Sequence, residues 1–206
     1  MMTFTELQLD ALAETFNLSL GEAAATFSAI VHEEITLSVP TVEVLNREDL
    51  AQRLENMQRP DGKDRLCGIN QHFHAGNNFK TETLLLFPEQ GSLEIVRRML
   101  GDTTPIEQIT ELEQDALAEI GNIIINSCMS SLANLFGTEM IGTLPTVEAN
   151  SARALLEQHS HDEVILVARI GMSMAAHNTS GFVLFIMDVP SIQTFMKQVE
   201  RLFNIA

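Results

Sequence analysis

Cysteine is nearly missing from this chain: Cys67 and Cys128 are the only two, each set in apolar surroundings with no second cysteine close in sequence. A disulfide framework is therefore excluded, and buried reduced thiols in a reducing, cytoplasmic compartment are expected. Positive charge is scarce too. Twelve Lys plus Arg stand against 28 Asp plus Glu, a formal charge of −16, which repels phosphate backbones and anionic lipid surfaces. Neither nucleic acid nor a membrane surface is expected as a partner on that ground. No run of eighteen uncharged apolar residues occurs, and the opening residues carry Glu6 and Asp10 where a leader would be basic and then apolar, so neither a signal peptide nor a membrane span is expected. Glycine-rich phosphate loops and serine-hydrolase elbows are absent, and "HEEIT" from His32 lacks the second histidine of a zinc protease.

What is present is enough apolar material, 45% of 206 residues, for a sizeable core without staples. It is arranged twice over. "TELQLDALAETFN" at the start recurs as "TELEQDALAEIGN" in the middle: Thr5, Glu6, Leu7, Asp10, Ala11, Leu12, Ala13, Glu14 and Asn17 reappear 105 positions on as Thr110, Glu111, Leu112, Asp115, Ala116, Leu117, Ala118, Glu119 and Asn122. The offset holds without a gap to "PTVE" at Pro40–Glu43 and Pro145–Glu148.

Each half then runs through similar changes of pattern. A short amphipathic stretch, "REDLAQRLENM" or "SARALLEQH", precedes two strand-like runs: "RLCGINQHF" and "KTETLLLF" around a "HAGNN" turn, then "EVILVARIGMSM" and "GFVLFIM" around "AAHNTS". A helix-like segment closes each half, "PEQGSLEIVRRML" stopped by Gly101 and "VPSIQTFMKQVERLF". Thr5 with Gln8 and Thr110 with Glu113 fit capping boxes at the first helix of each half, and a second helix is expected over "LGEAAATFSAIVHEEI" and "INSCMSSLANLFG". The expectation is one α+β domain over 1–206, built as a pseudo-two-fold internal repeat of residues 1–101 and 105–206. Each half reads helix, helix, strand, short helix, strand, strand, helix around an antiparallel sheet.

Asp10, Glu14 and Asn17 stand at i, i+4 and i+7, within one stripe of a helix, as do Asp115, Glu119 and Asn122. Leu7, Ala11 and Leu12, with Leu112, Ala116 and Leu117, are expected off that stripe and inward. Alone, such a polar stripe would be a solvated helix face. Two matching copies are another matter, because the polar positions agree while apolar ones drift, Phe16 against Gly121 and Ala24 against Met129.

The pattern Asp/Ser-x-x-x-Glu-x-x-Asn, then twenty-two residues, then Pro, resembles the signature of the chemotaxis phosphatases CheC, CheX and FliY. It is complete twice here, ending in Pro40 and in Pro145. Four fixed positions at about 5% usage each would match by accident in about one such chain in a thousand, and two matches are far rarer. Two signatures in one chain resemble CheC most. The family often continues "GNIGAGNA", where this chain has "GNIIINSC" and "FNLSLGEA", so local repacking at Ile124 and Ile125 is expected.

The resemblance implies hydrolysis of the aspartyl-phosphate of a CheY-type response regulator. That activated acyl phosphate needs an in-line water and charge neutralisation, and no covalent nucleophile. The receiver would bring its own Mg²⁺ and a lysine, so no cofactor of this chain's own is implied. Asn17 and Asn122 would orient the water, since an amide accepts and donates hydrogen bonds without charge. Glu14 and Glu119 would contact the receiver's lysine, with Asp10, Pro40, Asp115 and Pro145 in support. CheD, a receptor-modifying deamidase, is a further partner implied by resemblance alone. The alternative is a non-catalytic protein that sequesters the phosphorylated receiver or modulates CheD. "HFH" at His72–His74 and "HSH" at His159–His161 are expected to be structural or exposed histidines, with no metal site.

Overall fold

The computed structural model describes residues 4–57, 65–76, 79–101, 111–157, 164–174 and 177–203. Thr110, His159 and His161 therefore lie outside the described residues. In chain order the elements are α1 (Glu6–Val31), β1 (Ile35–Leu45), α2 (Arg47–Met57), β2 (Leu66–Ala75), β3 (Phe79–Pro88) and α3 (Glu89–Leu100). Then follow α4 (Glu111–Phe136), β4 (Ile141–Gly142), β5 (Thr146–Asn150), α5 (Ala152–Glu157), β6 (Val164–Met174), β7 (His177–Met187) and α6 (Val189–Phe203).

The expected helix pairs are each a single helix of 26 residues, α1 and α4. "LSLGEAAA" and "NIIINSC" contain no proline, and one mid-helix glycine costs only about 1 kcal/mol, so nothing stops the first turn from propagating. α1 begins at the expected capping box, Thr5 and Gln8 each bonding the other's backbone N–H. The two helices stop at matching places by different means. Past α4, Gly137 takes φ 59°, which costs glycine little; past α1, His32 takes φ 56°. His32→Gly is expected to raise the unfolding free energy by about 0.5–1 kcal/mol, the strain of a left-handed side-chain-bearing residue less the added chain entropy. Urea denaturation at constant slope checks it.

The sheet runs β1-β6-β7-β3-β2-β4, with β5 also on β2, and every described pairing is antiparallel. Its register repeats. Thr41 to Leu45 of β1 lie opposite Arg169 to Ile165 of β6, and Thr146 to Asn150 of β5 lie opposite Asn70 to Leu66 of β2. Leu84 and Leu184 face each other at the middle of the β3–β7 pair. Each half thus sends its first strand to the other half's sheet edge, consistent with an internal repeat. The second copy of that edge strand is broken into β4 and β5, where the first is the unbroken β1.

Both faces of the sheet are covered, which is why "TLLLF" and "FVLFIM" are continuously apolar with no alternation. Leu85, Phe87, Val183 and Phe185 join α1, α3, α4 and α6 in the larger core. Leu84, Leu86, Leu184 and Ile186 join α2 and α5 in the smaller one. Phe16 of α1 stacks on Phe185, ring centroids 5.3 Å apart. Gly121, at the matching position of α4, lets that helix come so close to β2 that an added Cβ would lie 2.3 Å from Ile69 Cγ2. Ile124 and Ile125 are fully buried in this core. α4 is long and apolar enough by composition to cross a membrane, but Leu117, Ile120, Cys128 and Leu132 are spent on the protein interior.

Candidate functional site

α1 and α4 carry the two signatures to different surroundings. Asp10, Glu14, Asp115 and Glu119 are all exposed and make no ion pair among the described residues. Leu12, Ala116 and Leu117 are buried and Ala11 is half-buried, but Leu7 and Leu112 are 63% and 60% exposed and do not turn inward. The physical reason is spacing: each lies three residues before the Asp and seven before the Glu, inside the polar stripe. The exposed face of each helix is therefore Leu, Asp, Glu rather than purely acidic.

In the first copy the asparagine is engaged with the fold. Asn17 Oδ1 accepts the Val39 backbone N–H at 2.7 Å, and its Nδ2 donates to the Val39 carbonyl at 3.2 Å. Val39 is 1% exposed and sits where the β1–β6 register slips, between Ser38 and Thr41. Pro40, next along, has no N–H to offer the ladder. The side-chain amide thus takes over hydrogen bonds that the interrupted ladder leaves unmade. This accounts for the twenty-two-residue spacing to proline without any chemistry. Ser28, eleven residues further along α1, likewise accepts the Ile35 N–H at 2.9 Å, so α1 is stitched to β1 at two points.

The second copy differs at each of these points. Leu144, which corresponds to Val39, is 88% exposed, and the strand is broken from Thr143 to Pro145. Asn122 makes no bond to it. Instead Asn122 Oδ1 accepts from Asn126 Nδ2 at 2.6 Å and from Gln71 Nε2 at 3.4 Å, while its own Nδ2 donates to no described residue. Gln71 also donates to the Thr143 carbonyl at 3.0 Å, and Thr143 N–H bonds the His72 carbonyl. Gln71 is 2% exposed with its Oε1 unpartnered, a buried acceptor of the kind that costs about 1–3 kcal/mol. Asn122 is half-buried at this edge, three residues after the exposed Glu119.

Sequence reading singled out neither Gln71 nor Asn126. Two signals for them were available: Gln71 shares the inward face of β2 with Ile69 and Phe73, and Asn126 stands opposite Gly21 in the repeat. The two copies are thus equal in the residues of the signature and unequal in what holds the asparagine.

Other chemistry is thin. Burial pushes the Cys67 thiol up to about 11 and the Cys128 thiol up to about 12, so both stay protonated and inert near neutral pH. His72 and His74 are exposed on β2, and no group of three or more His, Cys, Asp or Glu converges on a metal position among the described residues.

The fold and site define an α+β protein with a twice-used Asp–Glu–Asn helix, and comparison with known proteins shows what it is similar to. Residues 112–148, the second signature with its proline, match the model of the CheC-like family. The chain is 22% identical over 156 residues, 74% of its own length and 71% of the relative's, to the CheY-P phosphatase CheC of Bacillus subtilis strain 168. Its fold is similar to that of FliY from Thermotoga maritima, with a TM-score of 0.76 at 19% identity over 97% of this chain and 99% of that one. The FliM middle domain from Helicobacter pylori is similar at TM-score 0.67 and 12% identity, over 95% and 99% of the two chains. The family-model match is confined to the second signature and the segment that follows it, and the solved structures share the fold.

Proposed function

We propose that this protein is a phosphatase that hydrolyses the aspartyl-phosphate of a CheY-type response regulator in chemotaxis signalling, acting in the cytoplasm. A chemotaxis phosphatase-like function is supported by the relation to the CheC of Bacillus subtilis. The observation that carries the finer reading is the state of Asn122, whose NH₂ group is unspent at the rim of α4 while its oxygen is held from behind.

In this reading a receiver docks on the exposed face of α4. Glu119 meets the receiver's lysine, and the Asn122 amide enters the receiver's site. There an N–H donor can hold the attacking water by one lone pair while the other faces phosphorus, and the water's protons stay free to leave. Mg²⁺ held by the receiver would neutralise the phosphoryl oxygens. Asp115 flanks the contact, and Pro145 ends the broken strand beside it. Glu14 and Asp10 offer the same acidic face on α1 for receiver binding, but Asn17 there is committed to Val39.

The test is phosphate release from a purified CheY-type receiver phosphorylated with acetyl phosphate, with and without this protein. Acceleration that saturates with receiver concentration supports the proposal. Binding of the phosphorylated receiver without acceleration would replace it with sequestration.

A further inference from the structure

We infer that Gln71 and Asn126 are positioning residues that arm the second site, and that the first site lacks both. The inference rests on the phosphatase reading and extends it to residues outside the signature.

An asparagine amide can turn over and present either its oxygen or its nitrogen. Around Asn122 that choice is made by two donors. Asn126, one turn on along α4, gives Nδ2 to Asn122 Oδ1 and also to the Asn122 backbone carbonyl, at 2.9 Å. Gln71, from the neighbouring strand, approaches the same oxygen from the interior. With both donors aimed at one atom, the flipped amide would set N–H against N–H. The NH₂ is therefore left facing outward, in the orientation a water or phosphoryl oxygen requires.

Gln71 is itself fixed. It is fully enclosed, and its second donor contact, to the Thr143 carbonyl, ties the asparagine to the loop that carries Leu144 and Pro145. An apolar residue would fill this place without leaving an acceptor unpartnered, and the first copy shows one. Asn70 and Arg169 occupy matching register positions, opposite Thr146 and Thr41, so the counterpart of Gln71 is Ile170, which is fully buried. The counterpart of Asn126 is Gly21. Where both donors are missing, the asparagine turns to the backbone of Val39. Where both are present, the strand is broken and the amide is held for use.

The decisive variant gives the second copy the first copy's pair, Gln71→Ile with Asn126→Gly; Gln71→Leu and Asn126→Ala are made singly in case the pair disturbs folding. Steady-state phosphate release from the acetyl-phosphate-treated receiver is measured at varied receiver concentration. The expected result is a fall in kcat of at least tenfold for the pair and several-fold for each single change, with KM within twofold of wild type. Since the docking face of α4 is untouched, a merely structural role would not separate kcat from KM in this way. Unchanged kcat, a rise in KM alone, or a higher kcat in Asn126→Ala would overturn the inference while leaving the phosphatase reading intact. If wild type gives no acceleration at all, the phosphatase reading falls and this inference with it.

Discussion

Asn17→Ala is expected to lower the unfolding free energy by about 2–3 kcal/mol, the cost of leaving a buried N–H and a buried C=O without partners. The two groups belong to Val39, at 1% exposure, so water cannot readily take the place of the lost amide. In a chain of this length such a loss corresponds to a fall in Tm of about 5–10 °C. The informative control is Asn122→Ala, whose removal strips Gln71 and Asn126 of an acceptor but leaves no backbone group of a broken ladder unmade. Its thermal midpoint is expected to move by less than half as much. Calorimetry or near-ultraviolet-independent probes such as far-UV circular dichroism suit the measurement, as the chain has no tryptophan or tyrosine. Equal shifts for the two variants would show that the bond to Val39 carries little weight.

The second large effect runs the other way round. Asn122→Ala is expected to cut receiver dephosphorylation by about a hundredfold, the usual consequence of deleting one preorganised donor at a site of charge development. That corresponds to about 2.7 kcal/mol of transition-state stabilisation, set against a small change in folding stability. In the proposed mechanism the amide acts only on the reacting water, so kcat should fall while KM stays close to wild type. Glu119→Ala, by contrast, should raise KM, since the proposed mechanism gives it contact with the receiver before chemistry. A hundredfold loss in Asn17→Ala at a temperature where that variant is folded would contradict this division between the copies.

Much of the fold was legible. The 105-residue echo located both long helices, and the ends of α2, α3 and α6 fall where amphipathic spacing and Gly101 placed them. The α+β class with antiparallel pairing followed from alternating strand-like and helix-like runs. What misled was the interior of the long helices. "LSLGEA" looks like a joint because glycine and serine sit together, but without proline the helix runs through it and the penalty is small against the burial of Phe16, Leu20 and Phe27. The exposed placement of Leu7 and Leu112 follows from the spacing itself, since a leucine inside a polar stripe faces solvent with it.

The site divided differently. The signature named Glu14, Asn17, Glu119 and Asn122, but a one-dimensional pattern does not say what an amide is bonded to. The bond from Asn17 to Val39 depends on a register slip between β1 and β6, strands from different halves of the chain, and that pairing is set by long-range topology. Gln71 reaches Asn122 for the same reason, since β2 of the first half runs under α4 of the second. The likeness of the two copies was visible in sequence, and their inequality became visible only once each copy's neighbours were in place.

The exchange of edge strands ties the two halves into one sheet. β1 hydrogen-bonds to β6 and β5 to β2, so neither half owns a finished sheet. The arrangement has the topology that a strand-swapped dimer would have with its two subunits joined end to end. Joined subunits are freed from having to be identical, whereas in a true dimer every substitution appears twice. Within one chain, Asn17 can bond the Val39 backbone while Asn122 bonds Gln71 and Asn126 instead.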